Sequence, residues 1–347
     1  MIARRLKSGT GSILSKGSIL YIILPECILW KRTSDMRKLL YILILLAMLC
    51  GITSAEGAGN AVIIGGMRYE VKDGFLNLYK VRITDPAALE KQLSAVSGLR
   101  EADLSFCGLA DEELAAMRER LGPLGIKIVW TLKLDTYTLR TDAWVFSTRH
   151  SSKDKRLEDE HVAPLRYAVE LRALDLGHNW ISDVSFLEPM TELKVLILSD
   201  NRMYDLSVLK GKPLEYLEIF NTFVKDLSFL EGCDTLMDLN ICDTRVSDLS
   251  PLYRLKNLKR LWAGDMECLK WAEEQQFLSY QRDRLEAWNF WTDIPTLYGW
   301  RGDEDGKIGH PRYEIIKAMF KEGVYYDFDT VLRPEQHVYL YKKRPKN

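Results

Sequence analysis

Six cysteines in 347 residues are too few to staple a fold with disulfides. Charge of one sign is missing too: 48 Lys and Arg stand against 49 Asp and Glu, so a strongly basic nucleic-acid binder is excluded. No apolar run reaches the roughly 20 residues that a membrane-spanning helix needs. The sequence has no H-E-x-x-H, no G-x-S-x-G, no phosphate-cradling P-loop and no paired C-x-x-C. Its five histidines (150, 161, 178, 310 and 337) lack metal-ligand spacing. The turn Gly302-Asp-Glu-Asp-Gly306 lacks the alternating ligands and terminal Glu of a calcium loop, and reads as a solvated turn. No catalytic residue, metal or cofactor is therefore expected.

What is present is ordinary for a globular chain: 47% hydrophobic and 28% charged residues. The start is uneven. Residues 39–52 (LLYILILLAMLCGI) form an uncharged run behind Met36-Arg37-Lys38, followed by small residues up to Ala55. A basic start, a short apolar stretch and small residues describe an export signal over 36–55, cleaved after Ala55. Cys50 offers a second reading, a lipidated mature N-terminus. Residues 1–35 read as an extension ahead of the natural start at Met36; the alternative is a membrane hairpin of 18–30 with 39–52. Residues 1–55 hold eight basic and two acidic side chains, so the remainder carries 40 against 47, about −7. An acidic mature chain disfavours nucleic acid, and membrane contact is expected only through a leader or lipid anchor.

Four consecutive segments align, from Leu171, Leu193, Leu214 and Leu236, and a fifth opens at Leu258, at spacings of 22, 21, 22 and 22. Each follows L-x-x-L-x-L-x-x-N-x-L. Positions 1, 4 and 6 (Leu171, Leu174, Leu176 in the first copy) bracket a short strand whose apolar side chains point inward. Asn179 and Asn201 at position 9 can hydrogen-bond buried backbone at the turn, with Thr222 and Thr244 as shorter substitutes. Position 13 is Asp183, Asp205, Asp226 and Asp248, a carboxylate suited to accept backbone N–H groups and start a helical return. One repeat cannot bury its apolar face alone, so stacking is required. The expected fold is an α/β solenoid: a leucine-rich repeat horseshoe or arc with a parallel concave sheet, irregular β-α turns before it and a C-terminal cap. The I-x-D-L-S-x-L return resembles bacterial leucine-rich repeat proteins of the internalin-like, 22-residue type over about 171–265. That resemblance implies a secreted or surface-exposed binding protein.

The flanks are less regular. Leu99, Ala102, Leu104, Cys107 and Leu109 also fit the template, which makes Cys107 a ladder residue. Val81–Thr84 and Ile126–Leu134 read as strands, Asp85–Val96 and Asp111–Leu121 as helices. Residues 135–165 break the pattern, with an exposed loop over 148–160. Downstream, Cys268 takes a core position, 269–284 reads as a helix, Leu285–Trp291 as a last strand, and a helix opens after Gly309-His-Pro. Cys233 and Cys242 lie on different faces and are not expected to pair. The organisation is then 1–35 extension, 36–55 signal, 56–165 irregular repeats with an inserted loop, 166–265 regular repeats, and 266–347 cap and tail.

Strand alternation sends positions 3, 5, 7 and 8 to the concave side. These positions supply the candidate ligand-binding residues: Asp175, His178, Asp200, Tyr216, Glu218, Phe220, Asp238, Asn240, Asp243, Arg260 and Trp262. An exposed acidic face bearing Tyr, Phe and Trp suits a protein or peptide partner, basic or from a host or cell surface, with the aromatics as anchors. Carbohydrate ranks second. The expected function is a secreted or cell-surface protein-interaction module. The alternatives are a carbohydrate-binding or hydrolytic region in 266–347, and an envelope protein with no discrete partner.

Overall fold

A strand of three residues cannot stand alone, and the repeat spacing supplies its neighbours. The computed structural model describes residues 59–148, 156–290, 300–301 and 310–328. The signal, Cys50, the 302–306 turn and the basic end at 342–347 lie outside the described residues.

The chain begins with a hairpin, β1 (Ala61–Ile64) and β2 (Met67–Glu70). Two βα turns follow: β3 (Phe75–Asn77), α1 (Pro86–Ala95), β4 (Glu101–Asp103), α2 (Asp111–Leu121) and β5 (Lys127–Val129). Asp85 caps α1 by accepting the Ala88 N–H at 2.9 Å, with Pro86 in the first turn. Strands β3, β4 and β5 form a parallel sheet. The expected strand over Val81–Thr84 does not form; the strand of that turn is β3, nearer the N-terminus. The expected single strand 126–134 divides at Trp130. Residues 127–129 pair parallel with β4, while β6 (Thr131–Leu134) turns into an antiparallel hairpin with β7 (Tyr137–Arg140). Trp130 is buried at this corner, and its ring N–H donates to Asp111 at 2.9 Å.

The segment expected to break the pattern contains β7 and also β8 (Val145–Ser147), the first strand of the main sheet. Residues 149–155 of the expected loop are outside the described set; beyond them, Asp159–Val162 forms one helical turn, α3, closed by reciprocal contacts of Glu158 and His161. The main sheet then runs β8, β9 (Ala173–Asp175), β10 (Val195–Ile197), β11 (Tyr216–Glu218), β12 (Asp238–Asn240), β13 (Arg260–Trp262) and β14 (Ala287–Asn289), all parallel. Phe146, Leu174, Leu196, Leu217, Leu239, Leu261 and Trp288 stand side by side in register. Between β13 and β14, α4 (Trp271–Gln281) closes the end of the repeat core with Phe277. This is a leucine-rich repeat solenoid. Among the described residues no helix is long and apolar enough to cross a membrane.

The repeat's polar positions each do a local task. Asn201 Oδ1 accepts the Ile181 N–H of the preceding repeat at 3.0 Å, and its Nδ2 donates to the carbonyls of Leu176 (2.8 Å) and Leu198 (2.9 Å). Asn179 repeats the pattern against Leu157 and Leu176. Asp183, Asp205, Asp226 and Asp248 each accept the N–H of the serine two residues on, at 2.7–2.8 Å, and its hydroxyl, opening a 3-10 turn. Cys107 is buried in the core, and burial pushes its thiol up. Cys268 is exposed, contrary to expectation; Met266, two residues earlier, is the side chain that turns inward as the fifth repeat gives way to α4. Cys233 and Cys242 are both free thiols.

Two replacements separate these tasks. Asn201→Ala leaves an N–H and two carbonyls without their partner inside the solenoid and is expected to cost about 2–4 kcal/mol. Asp226→Ala removes an exposed cap and is expected to cost about 1 kcal/mol. Urea midpoints of the two variants check the order.

Candidate functional site

On the side of the sheet away from the leucine core, position 3 carries Ala173, Val195, Tyr216, Asp238 and Arg260, and position 5 carries Asp175, Ile197, Glu218, Asn240 and Trp262. Much of this column is apolar, and a parallel sheet is ordinarily covered on both faces. The cover is the chain's own C-terminal segment. Trp300 is completely buried, tilted against Tyr216 (5.3 Å between centroids) and Trp262 (5.4 Å). Helix α5 (Pro311–Glu322) lays Tyr313, Ile315, Ile316 and Met319 into a second apolar cluster with Val145, Ala173, Val195, Ile197, Tyr216 and Trp262. The helix starts on Pro311 and stops at Gly323, whose positive φ (68°) closes its last turn.

Two buried carboxylates of the sheet bind this segment. Asp238, fully buried, accepts both Nε and Nη2 of Arg312 at 2.7 Å, a bidentate pair. Arg312 Nη2 also reaches Glu286 at 3.2 Å. Glu218, also fully buried, accepts the Tyr216 hydroxyl at 2.7 Å and the Trp300 ring N–H at 2.8 Å, with Arg301 at 3.4 Å. Burial, reinforced by Glu218, pushes the Tyr216 phenol well above its usual range. Arg260 lies against the Trp300 ring at 4.5 Å, donates to the Trp300 carbonyl and stands 3.7 Å from Asp238. Burial pulls Arg260 below the usual guanidinium range, against the attraction of Asp238. His310, just ahead of α5, is held down at about 3 by burial and by Arg260 and Arg312.

The expectation that Tyr216 and Trp262 stand exposed on an open acidic face is therefore corrected: both are buried, with Glu218, Asp238 and Arg260, beneath Trp300 and α5. Sequence reading missed this because the cover lies tens of residues downstream. The available signal was the outward apolar column itself, together with the unpartnered apolar stripe Ile315, Ile316 and Met319. Asp175 and Asn240 have local work as well: each accepts the N–H two residues on, Gly177 at 3.0 Å and Cys242 at 3.1 Å, as Asp103 does with Ser105 at 2.8 Å.

His178, Asp200 and Asp243, with Asn221 and Asp265, occupy position 8, and every one has a positive φ between 51° and 62°. Asn, Asp and His tolerate that left-handed turn better than other side chains. The acidic character of this column thus follows from backbone geometry. Its side chains remain at the edge of the covered face: His178 Nδ1 meets Asp200 at 2.8 Å, Asn221 donates to Asp200 at 2.8 Å, and the His178 ring stands edge-on to half-buried Phe220 at 6.4 Å.

Beside this edge lies a cavity of about 200 Å³, floored by Gly177 and Ser199, walled by Asp175, Glu218 and Arg301, and roofed by Tyr313, Lys317 and Phe320. The small residues at position 7 open it; the next repeats place Phe220 and Cys242 there. The Ser199 hydroxyl is buried without a hydrogen-bond partner among the described residues.

No family model matches the sequence, and none of the curated proteins matches it. Among solved structures the chain is similar to an internalin from Listeria monocytogenes str. 4b F2365, at 21% identity over 65% of this chain and 64% of that one, with a TM-score of 0.39. An internalin C2 from the same strain aligns at 20% identity over 65% and 76%, with a TM-score of 0.31. A leucine-rich repeat protein of Leptospira interrogans aligns at 18% over 57% and 50%, with a TM-score of 0.36. The chain thus spans under two thirds of the first internalin's length.

Arg312→Ala leaves Asp238 buried without its strongest partner and is expected to weaken docking of 310–328 by about 3–5 kcal/mol. Hydrogen exchange over α5 and Trp300 fluorescence report it, while the amides of β9–β13, hydrogen-bonded between neighbouring strands, stay protected. Docking is also expected to weaken on acidification. His310 falls from an ordinary 6.5 to about 3 when docked, so between those values the undocked tail holds the extra proton. Docking then loses up to about 1.4 kcal/mol per pH unit below 6.5. His310→Gln should flatten that dependence in a fluorescence titration.

Proposed function

We propose that this protein is an exported, non-catalytic protein-interaction module built on a leucine-rich repeat solenoid. The observation that carries the reading is the occupied sheet. Its outer face already seats a polypeptide segment through desolvated, directional contacts, Asp238 to Arg312 and Glu218 to Trp300. A surface organised to recognise tryptophan, arginine and one helix face has the composition of interaction hot spots. The arginine-bearing partner that the acidic residues call for is present in the same molecule. Export rests on the leader at 36–55, with cleavage after Ala55 or lipidation at Cys50 as the two routes to the surface.

The cavity beside α5 supports a second reading, a small polar ligand such as a sugar held between Asp175, Arg301 and the aromatic rings of Tyr313 and Phe320. Hydrolysis fits the site poorly. A glycosidase needs two carboxyl groups flanking an accessible bond, and both oxygens of Glu218 are already engaged, by Tyr216 and Trp300 on one and Arg301 on the other.

The test is capture from the native cell surface with the full chain carrying photo-crosslinkers on the rim of the sheet. One or a few polypeptides at near-stoichiometric yield are expected. If the outer face also serves an external partner, Trp300→Ala with Arg312→Ala should raise capture several-fold by uncovering it. Glycans alone in the crosslinked fraction would favour the second reading, and no adduct from either class would sink the first.

A further inference from the structure

The tail covers the sheet, but one lateral column of the repeats stays open. Position 10 is Trp180, Arg202, Phe223 and Arg245 in four consecutive repeats, an aromatic and a guanidinium in strict alternation. The rungs are in register. Arg202, Phe223 and Arg245 each donate their backbone N–H to the position-11 carbonyl of the preceding repeat, Ile181, Met203 and Val224, at 2.8–3.0 Å. The side chains stack along the column. Arg202 lies 4.9 Å from the Trp180 ring and Arg245 lies 4.4 Å from the Phe223 ring. Arg156 adds a third guanidinium, 5.8 Å from Trp180, and Tyr204 stacks on Phe223 at 5.0 Å. Trp180 and Tyr204 remain 40% and 58% exposed. Positions 9 and 11 on either side point inward, so the fold does not require aromatic side chains at position 10. Among the described residues Arg202 and Arg245 have no ion-pair partner.

The geometry points to this column as a docking site for an extended, acidic segment of a partner protein, with carboxylates at every third residue. Exposed Trp, Tyr and Arg are the side chains that dominate protein interfaces. A guanidinium stacked through its face keeps its N–H edge free for bidentate carboxylate binding. Successive parallel strands stack about 4.8 Å apart, so guanidiniums on alternate repeats stand about 10 Å apart. A polyproline-type chain has three residues per turn and rises about 3.1 Å per residue. It therefore presents residues i and i+3 on one side about 9 Å apart, with its rings free to pack on the exposed Trp180 and Tyr204. Acidic columns flank the site, Asp200 and Asp243 on one side and Asp183, Asp205, Asp226 and Asp248 on the other. They disfavour a polyanion of continuous charge and leave room for single carboxylates placed on the arginines. The inference rests on the reading of the protein as an interaction module, but not on the covered sheet.

The experiment uses the full chain and a labelled peptide with the repeat Glu-Pro-Pro, read by fluorescence anisotropy at 50 and 150 mM salt. Expected are saturable binding, and at least a fivefold loss both for Arg202→Gln with Arg245→Gln and for a peptide of equal composition with its glutamates contiguous. Equal binding of the two peptides overturns the proposal. So does stronger binding of a sulfated oligosaccharide, or a melting-temperature loss in the double variant with no peptide bound by either protein. Capture of a cell-surface partner that survives the double variant removes this column and leaves the interaction module standing. Loss of all capture by the unaltered chain removes the module itself.

Discussion

A parallel sheet with apolar side chains on both faces has two surfaces to keep from water, and the rest of this structure follows from how each face is met. The inner face is met by the repeat itself, which returns Ile181, Met203, Val224 and Val246 from the turn and a leucine from each 3-10 segment. The outer face carries Val195, Ile197, Tyr216 and Trp262, too much apolar surface to leave in water, and the chain covers it with Trp300 and α5. Covering that face also buries Glu218, Asp238 and Arg260. Buried charge is tolerated only when it is paired and hydrogen-bonded. Arg312 and the indole of Trp300 provide that pairing, so the polar contacts specify where the segment sits while the apolar ones supply the attraction.

Much of the acidity that suggested a ligand-binding face has a local origin. Position 5 uses Asp175 and Asn240 to hold the chain as it leaves the strand. Position 8 uses His178, Asp200, Asn221, Asp243 and Asp265 to pass through left-handed backbone. Position 13 uses an aspartate to open each return turn. Only Glu218 and Asp238 stand outside this backbone work, and these two meet the tail. Position 10 has no such duty, which is why its alternating aromatics and arginines point to recognition.

The legible and illegible parts divide by distance along the chain. Asn179, Asn201 and the aspartate at position 13 were readable because their partners lie in the same repeat or the adjacent one, at fixed offsets. The helix at 85–96 was readable from its Asp85-Pro86 start, and that at 111–121 from apolar spacing behind an acidic first turn. The division at Trp130 was not: both halves have strand-forming side chains, and only the separate partners β4 and β7 break the segment in two. Cys268 was misplaced because the template was carried one turn beyond the last repeat it governs. The burial of Tyr216 and Trp262 was out of reach for the same kind of reason, since position within a repeat says which way a side chain points and not what arrives there from 40 to 100 residues away.

Sequence alone determined the repeat, its period, the inward side chains of its four full copies and the parallel sheet. All of these follow from short-range sterics and hydrogen bonds that recur every 21 or 22 residues. Only the tertiary structure decided which outward side chains meet water. That choice depends on Trp300 and Arg312 closing over Glu218 and Asp238, a non-local pairing of buried charge and apolar surface that no periodicity encodes.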